Sequence, residues 1–267
     1  MGEATRIRLG HEGAVATLTL ARPDVRNAFD EAMIAEVTGA LGELGRSFHA
    51  APERAPRALI VTGEGSAFCA GADLNWMRRS VAFSREENEA DAGRFATMLR
   101  ALDELPLPTI ARVNGACLGG GMGLVACCDV VIAADGADFG FTEVRLGIAP
   151  AVISTFVLPR IGAAAARRYF LTGEIFKAAE AKAIGLVHEV AARDALDAAV
   201  TRIAGTIAGN GPLAVAAAKR LIREGFSLRG EEAIQNTIQA IAGLRASPEG
   251  QEGLGAFLEK RRPAWNK

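Results

Sequence analysis

Apolar residues recur along this chain with two distinct periods. In 14–20 (AVATLTL) they alternate, the period of a half-buried strand, and Arg22-Pro23-Asp24 ends the run. Met33, Val37, Leu41, Leu44 and Phe48 then return every three or four residues, which predicts an amphipathic helix over 30–49. Ala58 to Val61 reads as a short buried strand closed by the turn Gly63-Glu64-Gly65. Phe95, Leu99, Leu102 and Leu105 mark a second helix stopped at Pro106, and strands follow at 108–113 and 130–133. Strand, helix, strand, helix, strand in that order implies right-handed crossovers and a partly parallel sheet.

The character changes after residue 150. Leu196, Val200, Ile203 and Ile207 form one helical stripe and Ile234, Ile238, Ile241 and Leu244 another, while Leu186 to Val190 is the one clear strand signal. The expected organisation is an α/β core over 1–190 and a helical region over 191–267. Pro and Gly are spread through the chain, so no flexible linker separates independent domains.

Composition narrows the function. At 267 residues a folded chain buries roughly 75% of its extended surface, enough for a substantial core. A formal net charge of -1 disfavours nucleic-acid binders and membrane-surface proteins, which carry a basic excess. No apolar run reaches the ~18 residues of a membrane span, and the charged stretch Met1 to Gly10 lacks the core of a secretory signal. Cys69, Cys117, Cys127 and Cys128 form no CxxC pair, and His11, His49 and His188 are scattered, so reduced buried thiols and no metal site are expected. The expected place of such a chain is the cytoplasm.

Three segments carry candidate chemistry: 67–77 (AFCAGADLNWM), 114–123 (NGACLGGGMG) and 139–150 (FGFTEVRLGIAP). The first packs small residues where backbone must approach something closely. The second enters a helix at Gly119 to Gly121, presenting unpaired N–H groups at its start. Two such groups converging on one oxygen stabilise negative charge, typically by ~3 kcal/mol per donor. Taken singly, each glycine loop is equally well a tight strand-to-helix turn. Gly121-Met122-Gly123-Leu124-Val125-Ala126 also fits a dinucleotide pattern, but Asp135 follows Gly121 by 14 positions where such a unit wants its acid ~20 beyond.

Together the three segments resemble the crotonase (enoyl-CoA hydratase/isomerase) superfamily, and the resemblance runs from the N-terminal strand to AFLEKRRPAW. It implies an α/β fold, a ββα spiral core with a C-terminal helical trimerisation region. It implies an acyl-CoA thioester as substrate, no cofactor beyond the CoA carried by that substrate, and a homo-oligomer (trimer or dimer of trimers). On the same resemblance Ala70, Gly71, Ala72 and Asp73 form the CoA-binding loop, and the N–H groups of Ala72 and Gly120 form an oxyanion hole. Glu143 becomes the acid–base residue, while Asp129 is structural. Leu74, Gly119, Gly123 and Ser154 are implied substrate- or CoA-binding positions, and Trp76 and Met77 wall the acyl pocket, with plain core packing as the alternative for those two. Phe257 and Lys260 cover the CoA nucleotide, often across a subunit contact, and Arg26 lies near the CoA.

Two departures stand out. Gly123 takes the place of a second glutamate that holds the attacking water in ordinary hydratases. The run Ala149 to Thr155 replaces a glycine-rich stretch with β-branched residues, and Ser154 and Thr155 offer hydroxyls that could hold a water. The motifs resemble bacterial methylglutaconyl-CoA and isohexenylglutaconyl-CoA hydratases, whose substrates carry a distal carboxylate suited to an arginine; Arg78, Arg79 and Arg160 are candidates. The resulting expectation is a hydratase of a branched glutaconyl-type 2-enoyl-CoA. A double-bond isomerase using one glutamate is the alternative, and a non-catalytic or RNA-associated protein of the same fold a third reading.

Overall fold

The computed structural model describes residues 5–225 and 228–266, so the first four residues of the charged N-terminal stretch lie outside it. A hairpin of β1 (Ile7–Glu12) and β2 (Val15–Leu20) leads into α1 (Glu31–Ala50), whose N-terminus is capped by Asp30 accepting from the Met33 N–H at 2.8 Å. Next come β3 (Ala58–Gly63), β4 (Ala67–Cys69), α2 (Leu74–Ser80) and α3 (Arg85–Asp103), the last opened by a Ser84/Glu87 capping box. Then follow β5 (Thr109–Val113), β6 (Ala116–Leu118), α4 (Gly120–Cys127), β7 (Val130–Ala134), β8 (Asp138–Gly140) and α5 (Ala151–Thr172), which breaks at Gly162. The chain closes with β9 (Ile175–Lys177), α6 (Ala178–Ala183), β10 (Glu189–Ala191), α7 (Leu196–Ala208), α8 (Pro212–Gly225), α9 (Gly230–Ala246) and α10 (Pro248–Leu258).

The strands divide between two sheets. The larger has the order β1-β2-β3-β5-β7-β10 and is parallel from β2 onward; the smaller has the order β4-β6-β8-β9, with only β9 antiparallel. Three successive turns, beginning at β3, β5 and β7, each lay one strand in the large sheet, the next in the small sheet, and then form helix. This is the expected ββα spiral. Its main core holds Leu18, Leu59, Phe68, Met98, Leu99 and Phe139, all at most 1% exposed. A second cluster lies where Leu196, Ala199, Val200 and Ala204 of α7 meet Ile110 and Ile132. The stripe on α9 behaves differently: Ile234, Ile238 and Ile241 are about half exposed, and no residue of α9 is buried.

Candidate active site

The three motif segments converge on Gly119. A Cβ built there would lie 3.7 Å from Gly71 Cα and 3.8 Å from the Glu143 Oε1 atom, so the CoA-loop candidate, the glycine turn and the candidate acid are immediate neighbours. Gly119 has φ 51° and ψ −123°, a conformation L side chains avoid, and this turn directs β6 into α4. Gly120 is the first residue of α4, and its N–H accordingly has no intrahelical acceptor.

The segment 70–73 is tied down from behind. Phe29 donates its N–H to Gly71 O at 2.7 Å and accepts from Asp73 N at 2.8 Å, forming a parallel bridge with Ala72. In that pairing the Ala72 N–H faces away from Phe29. Ala70 N donates to Arg26 O at 3.0 Å. Arg26 and Asn27 both adopt positive φ, and the buried Asn27 side chain donates to the carbonyls of Glu64 and Ala67. Arg26 thus holds the loop through its carbonyl, while its side chain is exposed.

Asp73 has a local structural role. Its carboxylate caps α2, accepting from the N–H groups of Asn75 at 2.7 Å and Trp76 at 3.2 Å, and it pairs with Arg22 at 2.9 Å. Burial would raise its pKa, but these donors and the guanidinium outweigh that and hold it below the usual carboxylate value. Arg22 also donates to Ala28 O and approaches Asp30, so one guanidinium joins both sides of the loop. No sequence periodicity marks Arg22, because its partners are up to 51 residues away.

Glu143 opens a short 3₁₀ turn, Glu143–Leu146, ended by Gly147 at φ 76°. Its Oε2 is buried without a hydrogen-bond partner, and burial raises its pKa above the ordinary carboxylate value. The carboxylate faces a cavity of about 200 Å³. Phe29 and Phe95, in edge-to-face contact at 5.4 Å, form one wall with Trp76, and Pro150, Val152 and Ile153 form another. Ala72 and Gly120 line the same cavity, so the expected oxyanion residues and the expected acid share it. In the sequence Phe95 belongs to a helical stripe, and Phe29 carries no signal of its own.

Gly123 lies inside α4 and is buried. A Cβ there would sit 2.6 Å from Ile153 Cγ2 and 3.0 Å from Leu99 Cδ1, so the place beside it is filled by hydrocarbon. Gly121 is packed as closely, its Cβ position 2.8 Å from Cys69 O. Both glycines of the dinucleotide-like pattern therefore serve helix packing, since they lie within the helix and not in the turn before it.

The remaining candidates fall elsewhere. Ser154 and Thr155 do not line the cavity: their hydroxyls donate to the Ala151 and Val152 carbonyls one turn back in α5. Leu74 is 70% exposed on the first turn of α2. Arg78 donates to Asn75, Arg79 pairs with Glu31 at 2.6 Å, and Arg160 bonds the Cys128 carbonyl; none of the three lines the cavity. Phe257 and Lys260, at and beyond the end of α10, are exposed and are not among the lining residues. Asp129 accepts from Thr109 N and Oγ1 and pairs with Lys219 at 2.8 Å, joining β5 to α8. The four thiols are buried, and burial pushes Cys69 and Cys128 up to about 12. His188 accepts the Val131 N–H through Nδ1.

Known proteins resemble this chain over nearly its whole length. A family model described as enoyl-CoA hydratase/isomerase matches residues 10–267. The crotonyl-CoA hydratase of Syntrophomonas wolfei is 36% identical over 258 residues, covering 96% of each chain. The 2,3-dehydroadipyl-CoA hydratase of Escherichia coli is 34% identical over 251 residues, 93% of this chain and 94% of the relative. A crystal structure of an enoyl-CoA hydratase from Shewanella pealeana is similar with a TM-score of 0.90 at 40% identity, over 97% of this chain and 96% of that one.

Proposed function

The chain belongs to the enoyl-CoA hydratase/isomerase family, and from that premise we propose that it hydrates a branched, glutaconyl-type 2-enoyl-CoA with Glu143 as its one acid–base carboxylate. The observation that carries this reading is the placement of a carboxylate with one unpartnered oxygen, Glu143, beside Gly119 in a small apolar cavity. The thioester carbonyl sits between the N–H groups of Ala72 and Gly120, which stabilise the enolate oxygen. Ionised Glu143 takes a proton from water as the water oxygen bonds to the β-carbon. The double-bond electrons move to the α-carbon and thioester oxygen, and Glu143 returns the proton to the α-carbon. Water is added and the carboxylate is regenerated.

Burial suits Glu143 to both steps, because a raised pKa brings its proton affinity nearer the working pH. The small cavity supports a short acyl chain, since pockets for larger ligands run to about 300–1,000 Å³. The name of the 2,3-dehydroadipyl-CoA hydratase relative supports a dicarboxylic chain. We further propose a homo-oligomer, a trimer or dimer of trimers, which the half-exposed isoleucines of α9 support.

A second reading rests on Ile153. By filling the space beside Gly123 it leaves one carboxylate, and one carboxylate suffices to move a proton between the α- and γ-carbons of a 3-enoyl thioester. Enoyl-thioester absorbance separates the two with crotonyl-CoA, 3-methylglutaconyl-CoA and a 3-enoyl-CoA, for wild type and Glu143→Gln. Loss of absorbance with methylglutaconyl-CoA, absent in the variant, supports hydration. Absorbance gained from the 3-enoyl-CoA, with no loss from either 2-enoyl thioester, sinks hydration in favour of isomerisation. A mobility shift with RNA that weakens steeply with salt would favour the RNA-associated reading.

A further inference from the structure

Phe29 meets two of the three motif segments at once, one through its backbone and one through its ring. Its N–H donates to Gly71 O and its carbonyl accepts from Asp73 N, so Ala72 sits opposite it in the bridge with its own N–H turned away. The ring lies against the start of α4: a Cβ built on Gly120 would stand 3.4 Å from Phe29 Cδ2 and 3.5 Å from Cε2. Phe95 closes the same corner, its Cζ 3.0 Å from that Cβ position and its ring edge-to-face with Phe29 at 5.4 Å. The two turns also meet directly, since a Cβ on Gly71 would lie 3.7 Å from the Gly120 nitrogen.

Phe29 is itself fixed from several sides. It is 1% exposed and precedes Asp30, which caps α1 through the Met33 N–H. Two residues back, the buried Asn27 side chain donates to the Glu64 and Ala67 carbonyls and accepts from Arg22 N at 2.9 Å. Phe95 projects from α3, where Met98 and Leu99 are fully buried, so core side chains back the second ring. From these contacts we propose that Phe29 is a positioning residue, setting the spacing between the N–H groups of Ala72 and Gly120, with Phe95 holding its ring in place. This rests on the acyl-CoA reading above, in which those two N–H groups receive the thioester oxygen. Such donors act only when they already stand about 2.7–3.1 Å from where the oxyanion forms. A leucine at position 29 keeps the backbone bridge to the 70–73 loop but removes the ring against Gly120, which frees the start of α4 to shift relative to that loop.

The test follows the C=O stretch of butyryl-CoA, isotopically labelled at the thioester carbonyl carbon, by infrared difference spectroscopy on the full chain. This saturated thioester has no double bond to hydrate or move. In wild type the two donors should lower the stretch from its free value; in Phe29→Leu most of that lowering should be lost while butyryl-CoA still binds. On an enoyl thioester that wild type turns over, kcat and kcat/KM should fall together by about 10²-fold, the loss expected from a misplacement of about 1 Å. Weaker binding with an unchanged stretch and kcat would make Phe29 a pocket wall and overturn the proposal. Phe95→Leu leaves the bridge intact and removes one ring from behind Gly120, so it should show the same two changes to a smaller degree. A wild-type stretch in Phe95→Leu would overturn the positioning role even where Phe29→Leu does not fold. If wild type itself binds butyryl-CoA with the stretch at its free value, the oxyanion reading of Ala72 and Gly120 falls and the positioning role with it. A lowered stretch retained in both variants sinks the positioning role alone.

Discussion

Replacing Gly123 by alanine tests whether Ile153 truly fills the second-carboxylate position. In a helix interior this change ordinarily stabilises by about 0.8–1.0 kcal/mol. Here the new Cβ would stand 2.6 Å from Ile153 Cγ2 and 3.0 Å from Leu99 Cδ1, against an optimal carbon–carbon separation of about 3.5–4.0 Å. Roughly an ångström of movement is required between α4 and two side chains that are each at most 2% exposed. Overpacking of this kind costs about 1–3 kcal/mol, and two immobile neighbours place it in the upper part of that range. Subtracting the helix gain leaves a net loss of about 1–2 kcal/mol. For a chain of this size that lowers the melting temperature by about 2–8 °C. In an Ile153→Ala background, which removes Cγ2, the same substitution should turn neutral or stabilising. The double-mutant cycle would then show a coupling of about 1–3 kcal/mol in urea unfolding. A rise in melting temperature from Gly123→Ala alone, or additivity with Ile153→Ala, would refute the reasoning. The same logic predicts that Gly123→Glu is tolerated only once Ile153 is shortened.

Further outcomes are expected at three residues. Glu143→Gln should lower turnover about 10²–10⁴-fold in the absorbance assay. Because burial raises the Glu143 pKa, the acid limb of wild-type kcat/KM should lie above the usual carboxylate value of about 4.3, with rate lost as pH falls through it. The raised folded pKa also means that stability from this group is present below the unfolded value and lost as pH rises through the folded one. Thermal melts should therefore favour Glu143→Gln over wild type at neutral pH, with the gap closing in acid. Asp73→Ala should destabilise by about 1–2 kcal/mol in chemical unfolding through loss of the α2 cap, and Asp73→Asn by less because asparagine also caps. Since Arg22 and the capping N–H groups lower the Asp73 pKa, its contribution is present above the unfolded value and lost as pH falls through the folded one. On the proposed assembly through α9, Ile238→Glu should reduce the mass found by light scattering to that of a smaller species; an unchanged mass, or a monomeric wild type, would refute that assembly.

The elements readable from the chain were those with enough residues to show a period. Helix α1 and the apolar half of α3 follow from stripes of apolar residues, as do α7 and α9, and β2, β3, β5 and β7 from alternation or short apolar runs. The whole small sheet escaped, because three-residue strands such as β4 and β8 are too short to establish a period. Strand β1 escaped too: its alternation is masked by Arg8, His11 and Glu12 on an edge whose outer face meets solvent. Helix α5 was hidden by Pro159 and Gly162, and Leu186 to Val190 became a strand only from Glu189.

For the site, the three motif segments fixed which backbone turns and which acid to expect, because glycine at Gly119 and a carboxylate at Glu143 are chemical facts of the chain. That Gly71, Gly119 and Glu143 meet was decided by the ββα spiral, which brings strands distant in sequence side by side. Tertiary packing alone made Asp73 the cap of α2, filled the space beside Gly123 with Ile153, and left the Trp76 indole N–H buried without a partner. Composition and periodicity register a residue's own chemistry and its neighbours within a turn or two. Burial, pKa and the pairing of polar atoms depend on groups far away along the chain, which only the folded arrangement brings into contact.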